Sequence, residues 1–402
     1  MSDSAIISNR RIFGATMMVT GCCIGAGMIG LPVVSALTGF MPSVLAMVFC
    51  YLFTTLTGLL LVEATLWFDG NVNLPSIVEY SLGRIGKIIT IILFSFLFYC
   101  LFVAFLDGGG AIFAQILTSI LRQPVTHDMG ILTCLIYVVV VAYAGTRATD
   151  YSNRIMFVGL VVSYFMLVVV GMPHVRAENL QYTNWSAIFG VVPILLLSFG
   201  YQNLVPTLVY YLHKDAKALR IAIVVGNFIP FLVYFLWNTI ILGLLPIHHV
   251  GAADDAQMVA GLLAAAAIPS ISVIFFIKSF SLFAILTSFL PSAVSFVDFL
   301  KDGLSNLLHQ RVSNDVPIFF LVFLPPTICA LVYPQLFLQA LGFAGGFIDV
   351  LLFGILPALV VLVGRRRMTA NRRYQVIGGA VTPSIILMIS VILLYLKISE
   401  FI

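Results

Sequence analysis

This sequence has little charge. Only 9% of its 402 residues are Asp, Glu, Lys or Arg, against about a quarter in soluble globular chains. Apolar residues make up 61%, and a water-soluble domain could not hide so much apolar surface. This excludes a cytosolic enzyme, a nucleic-acid binder and a disordered chain. Other absences narrow the field further. No ATP-binding P-loop pattern and no leftover soluble domain are present, which disfavours a primary pump and a sensor with an output domain. The six cysteines sit within apolar stretches without metal-ligand spacing, so they read as small packing residues rather than a disulfide framework or metal site. The histidines, among them His127, His174 and His213, fall in loops or at span ends. They offer no relay and no Ser/His catalytic set, and no enzyme activity and no organic cofactor are expected. Strands of about ten alternating residues, the mark of a membrane barrel, are also missing.

What is present is a succession of apolar runs long enough to cross a bilayer, which takes about 20 residues each. They fall at 13–35, 41–67, 88–121, 129–146, 154–173, 186–211, 219–245, 270–300, 316–333, 335–363 and 378–398. Backbone amides in lipid must be satisfied within their own segment, so these are helices. The reading is an all-α membrane protein with 11 transmembrane helices. Of the 20 Lys and Arg, sixteen fall in alternate loops with the N-terminal tail. Arg122, Arg176 and Lys397 lie on the other side and Lys278 inside a span. By the positive-inside rule the N-terminus is cytoplasmic and the C-terminus external. The first span lacks a small-residue cleavage site and is expected to stay as a helix. Residues 72–87 suggest an amphipathic helix at the cytoplasmic interface, and residues 248–269 an external loop helix. The basic run from Arg365 to Arg373 reads as an anchor to the cytoplasmic face.

Two spans are interrupted. The first carries Gly21, Gly25, Gly27, Gly30 and Pro32, residues that loosen or break a helix. Close packing through small residues accounts for it equally well. The sixth decides between them: Ser198-Phe199-Gly200-Tyr201-Gln202-Asn203-Leu204-Val205-Pro206 puts polar groups mid-span, where they must face protein or a cavity. The first and sixth spans open two five-helix sets of opposite direction, and paired broken helices mark secondary-transporter binding sites. Half-helix N-termini offer N–H groups to a carboxylate and freed carbonyls hold a cation or ammonium. That chemistry suits an amino acid.

Gly21-x-x-Ile24-Gly25-Ala26-Gly27-Met28-x-x-x-Pro32 resembles the first-helix motif of the bacterial hydroxy/aromatic amino acid permeases, and the tyrosine-specific branch most closely. Ser198–Tyr201 with Val205-Pro206, Ile229-Pro230 through Trp237, Thr287–Leu290 with Asp298, and Phe323–Pro326 resemble the family's sixth to ninth helices. Gln202-Asn203 departs from its His-Gly, and Asp107, Lys278 and Asp349 fall outside its pattern. The resemblance implies the amino acid–polyamine–organocation superfamily and a LeuT-type 5+5 inverted repeat with discontinuous helices 1 and 6. The repeats are 13–173 and 186–363, flanked by a 1–12 tail and an extra helix at 378–398. It implies cation-driven uptake of tyrosine or a related amino acid across a bacterial inner membrane, usually with a proton. Tryptophan or serine/threonine carriers, sodium coupling and a polyamine carrier are the alternatives within transport, and a membrane sensor is the one outside it. Nucleic acid is not an expected partner, and the oligomeric state is open.

The candidate substrate residues are Ile24, Gly25, Ala26, Gly27, Tyr99, Ser198, Phe199, Gly200, Tyr201, Gln202, Asn203 and Ser288. Coupling and gating candidates come from charges in apolar spans, which need a reason to be there. Asp107 shares a face with Tyr99 and Val103, and either enters the outer vestibule or is hydrated at the interface. Lys278 heads a polar stripe through Ser281, Ser288 and Ser292; it either carries the transported proton or pairs with Asp107 or Asp349, the alternative being a side chain that snorkels to the interface. Glu63 lies near the cytoplasmic end of the second span. Thr287 aligns, by resemblance, with sodium-binding hydroxyls.

Overall fold

The computed structural model describes residues 9–25, 27–68, 70, 72–244, 271–308, 316–333, 336–367 and 374–399. Ala26, tail residues 1–8, the 248–269 loop and Arg372–Arg373 lie outside them. The described residues are helical apart from short connections and one isolated bridge, Gly39 to Thr183. Eight helices are long and apolar enough to span a membrane, nine when the bent pair Asn9–Cys23 and Gly27–Thr38 counts as one. Two shorter apolar helices, His127–Tyr143 and Val316–Val332, accompany them.

The helices are α1 (Asn9–Cys23), α2 (Gly27–Thr38), α3 (Phe40–Thr65), α4 (Leu74–Leu121), α5 (His127–Tyr143) and α6 (Thr146–Gly171). Then come α7 (Ile188–Ser198), α8 (Val205–Tyr211), α9 (Ala216–Leu244), α10 (Ile271–Leu308), α11 (Val316–Val332) and α12 (Phe337–Phe343). A π-helix (Ala344–Ile355) leads into α13 (Leu356–Arg367), and α14 (Val381–Ser399) follows.

Local chemistry sets the ends. The Asn73 side chain accepts the Ser76 N–H at 3.0 Å and starts α4, with Pro75 in the first turn. Thr126 starts α5 in the same way, accepting the Met129 N–H. These are N-caps that satisfy otherwise orphaned donors. The segment expected to lie on the interface is the first part of α4. It is set off from the span by Gly83, whose φ of 79° only glycine adopts freely. Its apolar face is divided: Leu74, Ile77 and Val78 are buried in the protein core, while Ile85 is exposed.

α10 packs along α6, α4 along α5, and α1 and α3 against α9. Phe98, Phe102, Phe289, Phe296 and Phe323 stack between α4, α10 and α11 at centroid separations from 4.8 to 6.3 Å. α6 and α14 show the reverse pattern. Val158, Val161, Phe165, Met388, Val391 and Ile392 are exposed, an apolar surface that water tolerates poorly and acyl chains cover. The connection between α6 and α7 lies across the α2–α3 junction, where the Asn184 N–H donates to the Thr38 carbonyl at 2.7 Å.

Candidate functional site at two broken helices

Both expected interruptions are present, and they touch. α1 and α2 are bent by 56°, and α7 stops at Ser198 before α8 resumes at Val205. A Cβ at Gly27 would lie 2.5 Å from Ser198 Oγ and 3.2 Å from its Cα, so only glycine lets the breaks pack. A Cβ at Gly25 would overlap Ser288 Oγ. The first break therefore meets both the sixth span and α10. Cys22 Sγ donates to the Gly200 carbonyl at 3.5 Å and stands 3.9 Å from Asn203 Oδ1.

Freed backbone groups are held by side chains. Tyr234 of α9 donates its hydroxyl toward two carbonyls, Cys23 at 2.5 Å and Ser198 at 2.7 Å. One phenol thus bridges the ends of α1 and α7. Trp237 Nε1 donates to the Met28 carbonyl at 3.0 Å, in the first turn of α2. Gln202 Oε1 accepts the Tyr201 N–H at 2.9 Å, and Gln202 Nε2 donates to Thr57 Oγ1 at 3.1 Å. Asn227 Nδ2 donates to Thr54 and Thr55 hydroxyls at 3.0 and 2.9 Å. Tyr234, Trp237 and Asn227 were missed in the sequence. A signal existed: Asn227, Tyr234, Trp237 and Asn238 recur at helical spacing on one face of an apolar helix, and all four are buried.

The aromatic candidates divide. Phe199 and Tyr201 are fully buried. Phe199 meets Tyr234 edge-on at 5.0 Å, and the Tyr201 hydroxyl donates to the Thr54 carbonyl at 3.0 Å. Tyr99 instead lines a cavity of about 650 Å³ with Val34, Pro193, Ile194, Cys329 and Phe343. Its hydroxyl donates to the Leu321 carbonyl at 2.9 Å. A second cavity, about 540 Å³, is lined by Arg11, Thr207, Tyr210, Tyr211, His213 and Lys214. The first cavity borders the α2 and α7 halves of the broken spans, the second the α1 and α8 halves. Gly21, Cys22, Asn203 and Thr207 are exposed on the second side, while Ile24 and Gly27 are half-buried.

The charged candidates do not pair as expected. Asp107 is not hydrated: it is 0% exposed, and Oδ2 accepts the Phe337 N–H at 3.0 Å. His127 Nε2 stands 3.5 Å from Oδ1 and 3.1 Å from the Asp107 carbonyl. A carbonyl only accepts, so Nε2 carries the proton. His127, passed over as a loop residue, is therefore Asp107's neighbour. Lys278 is half-buried and forms no ion pair among the described residues. Its helix packs mainly on α6, while the π-helix bearing Asp349 packs on α7, α14 and α4, which separates the two. Thr287 Oγ1 donates to the Phe283 carbonyl at 2.7 Å.

Glu63 is 2% exposed and takes a bidentate pair from Arg365, Nε and Nη2 each at 2.7 Å. Its Oε2 also accepts the Val376 N–H at 2.8 Å. Arg365 is thus a half-buried partner of Glu63 rather than a surface anchor. Arg220 lies over the Tyr374 ring at 5.4 Å beside this clamp.

A helical bundle with an apolar skin, two interrupted spans in contact and a cavity on either side defines a multi-pass membrane permease. The chain belongs to the tryptophan/tyrosine permease family, whose profile matches residues 8–397. It is 28% identical over 389 residues to the tyrosine-specific transport system 1 of Haemophilus influenzae, covering 96% of each chain. It is 27% identical over 406 residues to a tryptophan-specific transport protein of Pseudomonas aeruginosa, covering 96% of this chain and 94% of that one. The glutamine transporter 2 of Aliivibrio fischeri is 26% identical over 400 residues, with 97% and 100% covered. The protein is a transporter and not an enzyme.

Proposed function

We propose that this permease imports an aromatic amino acid, tyrosine foremost, by proton symport through alternating access across a bacterial inner membrane. Counting the two short apolar helices as spans gives eleven, in the LeuT-type 5+5 arrangement, with the basic loops cytoplasmic. The observation that carries the reading is the contact between the two breaks, with Tyr234 joining the Cys23 and Ser198 carbonyls. The first turn of α2, beginning at Gly27, offers N–H groups and a positive dipole end to the substrate carboxylate. Carbonyls around Phe199–Gln202 receive the ammonium, and the ring lies toward α4, with Tyr99, and α10, with Ser288. Cavities on both sides of the breaks suit a site that opens to one face and then the other.

Purified protein in proteoliposomes tests this with radiolabelled tyrosine, imposing proton and sodium gradients separately. Accumulation under an inward proton gradient, competed by tryptophan but not by serine, arginine or glutamine, is the expected result. Uptake indifferent to both gradients refutes symport, and competition by arginine or glutamine alone refutes the substrate class. Sodium-driven uptake replaces the coupling ion.

A further inference from the structure

Three acidic side chains are buried among the described residues: Glu63, Asp107 and Asp349. Glu63 holds Arg365, and Asp107 holds His127 and the Phe337 amide. Asp349 differs. It is 4% exposed, and neither carboxyl oxygen has a hydrogen-bond partner. A carboxylate in that position lacks both water and a counter-charge, whereas the neutral acid lacks only one weak partner. Such a group is held where charge is to be present in one state of the molecule and absent in another.

Its setting ties that charge to the substrate site. Asp349 sits in the π-helix, a rare backbone form that recurs at functional sites. The first turn of that segment presses on α7 at Pro193 and Leu197. A Cβ at Gly345 would overlap the Pro193 carbonyl, and one at Gly346 would lie 3.1 Å from the Pro193 ring. The π-helix packs on α4, and Cys100 of α4 lines the 650 Å³ cavity together with Gly342 and Phe343, which lie just ahead of the π-helix, so the carboxyl is carried by elements that wall a space open to one side of the broken spans.

The neighbouring elements supply few other titratable groups. α7 has none and α12 has none. α4 offers Cys100 and Tyr99 as well as the engaged Asp107, and α11 offers Cys329. α3 offers Cys50 and the engaged Glu63, and α13 offers Arg365–Arg367 beyond it. On α14, Tyr395 is exposed. The Lys397 stem passes the Gly346 position at 3.1 Å, and neither Asp349 oxygen takes a hydrogen bond from it.

We propose that Asp349 is the carboxyl that carries the symported proton. This rests on the proton-symport reading. A proton arriving through the cavity bonds to a carboxylate oxygen, and the neutral acid permits the packed π-helix–α7 arrangement. When the contact on α7 rearranges, the same proton leaves to water on the opposite side and the carboxylate returns. No other bond is made or broken.

The test uses the full-length protein in proteoliposomes. An inward gradient of one pH unit supports about a tenfold tyrosine accumulation at one proton per substrate. Asp349→Asn is expected to lose this accumulation while keeping gradient-free counterflow of tyrosine, which also shows that it folds. Asp349→Glu is expected to keep accumulation with a displaced pH profile. An Asn variant that accumulates like the wild type overturns the assignment. So does a Glu variant with an unchanged profile, which decides the matter if the Asn variant does not fold. A wild type driven by sodium and not by protons overturns the symport reading itself, and with it the assignment.

Discussion

Removing one half of the Glu63–Arg365 clamp should cost far more than removing both halves. Glu63 receives two charge-assisted bonds at 2.7 Å and one backbone bond at 2.8 Å. Its side chain is 2% exposed and that of Arg365 13%, so neither is screened as a surface pair is. Arg365→Met leaves a buried carboxylate with only the Val376 N–H, and breaking a buried pair in this way costs about 3–5 kcal/mol. Glu63→Gln in the same background removes the stranded charge and should recover most of that loss. Thermal unfolding of the detergent-purified protein, followed by tryptophan fluorescence, reports it. Trp67 covers Gly364, next to Arg365, so closely that a Cβ there would overlap the ring. The single variant should unfold on the order of 5 °C lower, the double close to wild type, so that the coupling energy from the cycle is at least the roughly 3–5 kcal/mol lost by the single variant. If Arg365→Met lies within about 1 kcal/mol of wild type, the value for solvated ion pairs, the clamp is not buried in solution and the reasoning fails.

Tyr234→Phe removes the hydroxyl that bridges the two breaks. A loss of about 1–3 kcal/mol in tyrosine affinity or stability is expected, read by substrate-induced thermal shift, and an unaltered variant would dissociate Tyr234 from the site. Gly25→Ala should abolish tyrosine binding by forcing Cβ onto Ser288 Oγ. Adding Ser288→Gly should restore part of it, and binding by the single variant at wild-type strength would contradict the packing. Asp107→Ala strands the Phe337 N–H at the start of α12 and should destabilise by about 1–3 kcal/mol. Asp107→Asn keeps an acceptor and should cost less, so equal melting temperatures for the two would remove the capping role.

The broken helices were legible because the physics that marks them is local. A Gly, a Pro and bare amides in a stretch of Leu, Val and Phe are expensive in lipid wherever the rest of the chain goes. The charge partnerships were not legible. Glu63 and Arg365 are 302 positions apart and Asp107 and Phe337 are 230 apart, so only the tertiary fold introduces them. Arg365 looked like one more cation in a basic loop, and His127 like a loop residue. The helical content of 72–87 was visible, but its burial depends on what packs over it. The π-helix left only Gly345-Gly346 as a trace, because its backbone angles differ little from those of an α-helix. Asn227, Tyr234 and Trp237 were readable in principle, had the polar face of the seventh span been traced as closely as that of the eighth.

Of the six cysteines, Cys22 alone is exposed, while Cys23, Cys50 and Cys134 are buried and Cys100 and Cys329 half-buried. Its sulfur lies against the Gly200 carbonyl, where the two interrupted helices meet. The native chain therefore carries its own attachment point for a thiol-directed fluorophore or spin label beside the proposed substrate, once Cys100 and Cys329, which line the 650 Å³ cavity, are replaced. Opening and closing of the permease can then be followed in real time from a native thiol.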